Sequence, residues 1–392
     1  MGGIVGVMEL TPFTLAVPPA EIDDLHRRLA QTRWPAPLPG DGWDAGVPVG
    51  YLRRLADRWA REFDWRAAEA RLNRFPQFLT EIDGTQVHFL HVRSPHADAL
   101  PLLLTHGWPG SVFEFLDLIG PLTEPDDPAD AFHVVIPSLP GFGLSGPTSE
   151  PWDTDRIARA WAELMAGLGY ERFAVQGGDI GAAVSPAVAR VAPTRVAGVH
   201  VNGSQAFVPP DAVDAATKAA LSDLERDRLE RIGGFMRDEY GYIAIQSTRP
   251  QTLAYGLTDS PVGQLAWMVD KFKAWTWPSD ALPEDVLGLD RLLEHVALYW
   301  FTATAGTAAY TGYATGGWGP PPEPSGVPTA FLQLAHDIGI RPFVEREHRV
   351  ARWTDVDRGG HFAALEEPGV LVDDVRAFFR DLRRTARNES VF

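Results

Sequence analysis

The chain has 392 residues, 45% of them hydrophobic, which is enough for a sizeable core and about two or three structural units. Its formal net charge of −17 argues against nucleic acid or an anionic membrane surface as a partner, since both reward clustered Lys and Arg. The absence of cysteine removes disulfides, thiolate metal sites and a Cys nucleophile, and it fits a reducing cytoplasm.

Residues 1–7 lack the basic and long apolar regions of a signal peptide, and no run is long enough to span a bilayer. Helices are predicted from Pro18-Pro19 through Ile22, Leu25 and Leu29, from Tyr51 through Leu55 and Trp59, and from Trp65 onward. Residues 78–92 read as a hairpin turned by Asp83-Gly84, with His88 and His91 on the strand surface. Leu100 to Thr105 and Phe132 to Pro137 read as short buried strands. A helix over 154–169 feeds a third such strand, Phe173-Ala174-Val175. Strands of this kind alternating with helices predict a mostly parallel α/β sheet. Ligands bind such sheets at the carboxyl ends of the strands. The loops at 106–111, 138–145 and 176–181 all follow strands, so they are expected to meet at one cleft.

After about residue 206 the strand pattern gives way to helices. Residues 211–245 are highly charged and read as a solvated helix face. Aromatic-rich helices follow to about Tyr313, as expected of a helical insertion over the cleft. Residues 316–324 form a Gly/Pro linker. A strand resumes over Val327 to Leu332, then a loop with His336-Asp337, then Arg358-Gly359-Gly360-His361-Phe362 and an amphipathic helix. The expected organisation is an N-terminal helical region with the hairpin (1–95), the first part of the core (96–205), a helical cap (206–320) and the second part of the core (321–392).

The segment Gln176-Gly177-Gly178-Asp179-Ile180-Gly181 puts one acid on a tight strand-to-helix turn, with glycines two before and two after it. This is the nucleophile-elbow pattern with Asp in the usual place of Ser. A plain Gly-rich turn with an Asp N-cap is the competing reading. Asp337 and His361 follow in the order nucleophile, acid, histidine, which is that of α/β hydrolases. His336 and Glu345 compete with Asp337, but neither sits as naturally at the strand end.

With these residues in place, the chain resembles the microsomal-type epoxide hydrolases of the α/β-hydrolase superfamily. The likeness covers nearly the whole chain. It rests on His106-Gly107-Trp108-Pro109-Gly110-Ser111, Gln176-Gly177-Gly178-Asp179, Gly241-Tyr242-Ile243-Ala244-Ile245-Gln246, Thr248-Arg249-Pro250, Asp259-Ser260-Pro261-Val262-Gly263 and Arg358-Gly359-Gly360-His361-Phe362-Ala363-Ala364. The resemblance implies an α/β-hydrolase core with a helical cap and a wrapping N-terminal region. It implies attack of Asp179 on an epoxide carbon, ring opening assisted by two cap tyrosines, and hydrolysis of the ester by water. His361, oriented by Asp337, would be the base, and the N–H groups of Trp108 and Ile180 would form the oxyanion hole. No metal or cofactor is implied.

Tyr242 matches the first tyrosine. The slot of the second, counted from Tyr299-Trp300, falls on Gly312, with Tyr310 and Tyr313 on either side. Tyr313 is favoured through a one-residue helix shift, and Tyr310 stays open. The aromatic supply of Trp108, Phe113, Phe142, Trp152, Trp267 and Trp275 suggests a lipophilic, including aryl, epoxide. Detoxification and natural-product biosynthesis both fit such a substrate. Animal members of this family often carry a membrane anchor; no such run is seen in this sequence, so a soluble protein is expected, with a homodimer left open. A haloalkane or haloacid dehalogenase uses the same Asp chemistry, but Ile180 stands where an indole would hold halide. A catalytically dead binding protein is the rival from another class.

Overall fold

The computed structural model describes residues 8–40, 42–203, 208–315 and 323–389. The N-terminal segment 1–7, the expected cap boundary at 206 and the linker up to residue 322 lie outside the described residues.

Nine strands form one sheet: β1 (Thr11–Phe13), β2 (Gln77–Ile82), β3 (Thr85–Val92), β4 (Leu100–Thr105), β5 (Phe132–Pro137), β6 (Phe173–Gly177), β7 (Val196–Asn202), β8 (Pro328–Gln333) and β9 (Arg349–Asp355). Their order is β1-β2-β3-β5-β4-β6-β7-β8-β9. The first three strands pair antiparallel, as does β3 with β5. From β5 through β9 every pairing is parallel. The central strands are covered by helices on both faces, so β4 and β6 are continuous apolar runs without alternation.

The hairpin turn is made by Asp83 and Gly84, at φ 50° and 71°. Two positive φ values in a row suit the right-handed twist of the flanking strands, and Asp-Gly supplies them. The hairpin belongs to the main sheet, because β3 registers with β5 from Phe89↔Pro137 to Val92↔Val134. This corrects the expected placement of its histidines. His88 is fully buried, with Nδ1 3.0 Å from Ser138 Oγ and Nε2 3.0 Å from Gln77 Oε1. His91 is buried against the Tyr170 hydroxyl at 2.7 Å. β3 is covered on both faces, so a polar residue there must find partners inside.

Between β7 and β8 the described residues are mostly helical, from Ala215–Ala220 to Ala305–Ala314. The helix Asp223–Gly234 is less solvated than its charge suggests. Arg228 is buried, its Nη1 donating to Gly339 O at 3.1 Å and its Nη2 lying 2.7 Å from Asp355 Oδ1. Arg231 donates to Ala335 O at 2.6 Å. The two arginines, three residues apart, grip the loop after β8 on both sides of Asp337. The N-terminal helices tie cap to core as well. The Tyr51 hydroxyl donates to Glu284 at 2.7 Å, and Arg71 pairs with both Asp117 and Glu294.

Candidate active site

β6 ends at Gly177 and the next helix, Ile180–Val191, begins three residues later. Asp179 joins them at φ 53°, ψ −120°, a conformation a side-chain-bearing residue seldom adopts. The glycines make this turn possible. A Cβ on Gly177 would lie 2.5 Å from the Gly181 carbonyl, and one on Gly181 would lie 2.0 Å from Thr105 O. The strained turn holds the Asp179 carboxylate above the sheet, at the N-terminus of the helix.

The loop after β4 supplies the next contact. Trp108 N donates to Asp179 Oδ1 at 2.8 Å, and Ile180 N also donates to the carboxylate. His106 holds this loop to the one after β5, its Nε2 accepting from Leu139 N at 3.1 Å. Burial lowers the His106 pKa to about 4, so the ring is neutral and free to accept.

His361 Nε2 lies 3.2 Å from Asp179 Oδ2. Its loop is shaped by Glu366, which accepts from the N–H groups of Trp277, Gly360 and Phe362 at 2.8–3.0 Å. His361 N donates to Trp275 O at 2.9 Å. Burial opposes charge on both members of the pair, yet their mutual attraction wins. The Asp179 pKa is lowered by His361 and the two backbone N–H groups, and the His361 pKa is raised by Asp179, with help from Asp337 and Glu114.

Asp337 is buried after β8, its Oδ2 accepting from Leu334 N at 2.7 Å. Burial raises its pKa to about 6, against the pull of Leu334 N–H, His361, Arg228 and Arg231. Its charge reaches His361, but no hydrogen bond joins the two among the described residues.

A cavity of about 280 Å³ opens over this pair. Asp179, His361, Asp337, Tyr242, Trp275 and Arg231 are on its wall. Tyr242 comes from the cap helix Gly241–Thr248 and stacks on Trp108 at 5.3 Å, with Trp275 at 5.4 Å. Burial, then the Asp179 charge, raise its pKa well above the ordinary value, so the hydroxyl keeps its proton.

Several residues expected at the site lie elsewhere. Tyr310 and Tyr313 stack on each other at 5.5 Å and neither lines the cavity; Tyr313 is 51% exposed. The slot itself is Gly312, beside the Tyr242 helix: a Cβ there would lie 3.5 Å from Gln246. Phe113, Phe142 and Trp152 are core residues, packed on Trp65, on His106 and under Arg156 respectively. Trp267 is not on the cavity wall, whereas Trp275 is. Asn202 and Glu114 are at the site without being predicted. Asn202 ends β7, and the strand-end rule alone could have flagged it. Glu114 has no such local signal.

The sheet order, the elbow and the histidine loop define an α/β hydrolase whose elbow carries aspartate. Comparison with known proteins agrees. Residues 10–115 match the family described as "Epoxide hydrolase N terminus", and residues 101–251 match "alpha/beta hydrolase fold". A Stigmatella aurantiaca protein, provisionally named an epoxide hydrolase, is 44% identical over 95% of this chain and 86% of its own length. Epoxide hydrolase 1 of Sus scrofa is 33% identical over 94% of this chain and 88% of its own. The crystal structure of juvenile hormone epoxide hydrolase from the silkworm Bombyx mori superposes with a TM-score of 0.88 at 29% identity, covering 97% of this chain and 96% of that one. The chain belongs to the epoxide hydrolase family. Among the described residues no helix is long and apolar enough to cross a membrane.

Proposed function

We propose that the chain converts a lipophilic epoxide and water to a vicinal diol through an ester of Asp179. One observation carries this reading: the Asp179 carboxylate, ion-paired with His361, faces the same cavity as the protonated Tyr242 hydroxyl. An Asp179 oxygen attacks a ring carbon, the C–O bond of the epoxide breaks, and the departing oxygen takes the Tyr242 proton. His361, no longer facing a carboxylate, gives its proton to the tyrosinate and, now neutral, accepts a proton from the water that attacks the Asp179 carbonyl. The N–H groups of Trp108 and Ile180 face the oxyanion. Collapse releases the diol, with its last proton from the acid so formed, and leaves Asp179 and His361 as the ion pair once more.

Tyr242 acts alone in ring opening, which the positions of Tyr310 and Tyr313 off the cavity wall favour. Asp337 supports His361 through its charge. The apolar wall of Phe235, Ile243 and Trp275 suits a lipophilic, including aryl, substrate. Ile180 offers no indole N–H for halide, so the dehalogenase reading has less support. The cysteine-free composition supports a cytoplasmic setting.

The test is a single turnover of styrene oxide, with enzyme in excess, in 18O-labelled water. An unlabelled diol from the first turnover is expected, because its new oxygen comes from Asp179. A labelled diol would mean direct attack by water and would overturn the ester.

A further inference from the structure

A second, smaller cavity also borders the Asp179–His361 pair. It has room for about one water, about 10 Å³, and shares Asp179, Asn202 and His361 with the larger one. Gly107, Trp108 and Glu114 contribute to its wall, but the cap residue Tyr242 does not. Asp179 therefore borders both a wide space under the cap and a narrow one lined by core loops.

We propose that the narrow cavity seats the hydrolytic water and that Glu114 fixes that water there. The proposal rests on the Asp179 ester described above. Glu114 stands on the one-turn 3-10 helix Val112–Phe115, capped by Ser111. Its carboxylate lies against the backbone of Gly110: a Cβ on Gly110 would fall 1.3 Å from Glu114 Oε1. Glycine at 110 thus keeps the space that the carboxylate fills. Glu114 forms no ion pair among the described residues, and Ser111 is its backbone partner.

A carboxyl group in such a place is expensive if its role is structural, and a glutamine or methionine would fill the space at lower cost. Its surroundings suit a water ligand. Burial and then the Asp179 charge raise its pKa to about 8, with His361 pulling the other way. Esterification of Asp179 removes that charge, so Glu114 ionises more readily at the stage when water needs an acceptor. One hydrogen of the water then points to Glu114 and the other to His361 Nε2. Its oxygen attacks the Asp179 carbonyl carbon and His361 takes the proton. Glu114 exchanges no proton in this step.

The test separates the two half-reactions in the full-length enzyme. Styrene oxide is mixed with excess enzyme, and quenched samples are weighed for ester on the protein and for free diol. Glu114→Gln keeps the shape but replaces an acceptor by a donor. Its ester should form at the wild-type rate and then persist, with hydrolysis slowed at least about tenfold. Glu114→Asp should recover part of that loss. Gly110→Ala, which drives a methyl into the carboxylate's place, should reproduce the trapped ester. Equal slowing of both half-reactions in these variants, or hydrolysis at the wild-type rate in Glu114→Gln, would overturn the proposal. A wild-type enzyme that never forms the ester would fail the mechanism itself, a result distinct from either.

Discussion

Asp179 has to be an anion in the first half-reaction and an acyl carbon in the second, and His361 has to change with it. The ion pair at 3.2 Å couples the two changes. While Asp179 is charged, His361 is held protonated, and once Asp179 is esterified that hold is released. Replacing His361 by Gln should therefore leave ester formation in place and slow hydrolysis by about 10²–10⁴-fold. Intact-protein mass after a brief exposure to epoxide would read this as a stable gain of the substrate's mass. Tyr242→Phe should act on the other step, slowing ester formation by about 10²–10⁴-fold, while Tyr310→Phe and Tyr313→Phe stay at the wild-type rate. A strong effect at Tyr313 would mean that the cap rearranges on binding substrate. At this scale the sequence is legible where chemistry is packed into a local motif, as for Asp179, Trp108 and His361. It is silent on Glu114, which reaches the site through the fold, and it offers only the strand-end position for Asn202. It misleads on Phe113, Phe142 and Trp152, because an aromatic residue near a site loop serves the core equally well.

Among the elements, the elbow carries the tightest constraint. Gly181 sits where a Cβ would approach Thr105 O at 2.0 Å, and both partners belong to the central part of the fold. Gly181→Ala should cost about 3 kcal/mol or more in urea unfolding, because rigid backbone cannot give way. Gly256 is the contrasting case, exposed in the cap helix Pro250–Asp259 with nothing within 4 Å of its Cβ position. Gly256→Ala should stabilise by about 0.5–1 kcal/mol through helix propensity and a less free unfolded chain. Equal effects at the two positions would contradict the packing argument. Elements with long apolar runs, such as β4 and β6, can be read from composition. β1 cannot, since three residues show no period. The burial of His88 is equally hidden, because its partners Gln77 and Ser138 lie 11 and 50 residues away.

For the whole molecule, the buried titrating groups set how stability responds to pH. Burial lowers the pKa of seven histidines: His88 and His295 to about 3, His91, His106, His336 and His348 to about 4, and His133 in the same direction. A group lowered in the folded state contributes stability that is complete above its unfolded pKa, about 6.5 here, and is lost as pH falls through the folded value. Asp374 acts in the same direction at lower pH. Burial opposes its charge, but His200, Thr354 and Arg352 hold its pKa at about 2, so its contribution disappears as pH falls from about 4. Five carboxyl groups oppose this trend, all raised chiefly by burial: Asp337 to about 6, Glu294 and Glu366 to about 7, Glu114 to about 8, and Glu347 in the same direction. Their contribution is complete below about pH 4 and is lost as pH rises through the folded values. Between pH 4 and 6.5 the seven histidines outweigh the five acids, and stability climbs. Above 6.5 the histidines are spent while Glu294, Glu366 and Glu114 still lose protons, so stability should decline towards pH 8. The expected curve is a maximum near neutrality with the steeper flank on the acid side, which thermal unfolding at half-unit pH steps would trace. A flat plateau from pH 6.5 to 8.5 would show that those three acids are solvated in the folded protein, and it would remove the electrostatic support for Glu114 at the water seat.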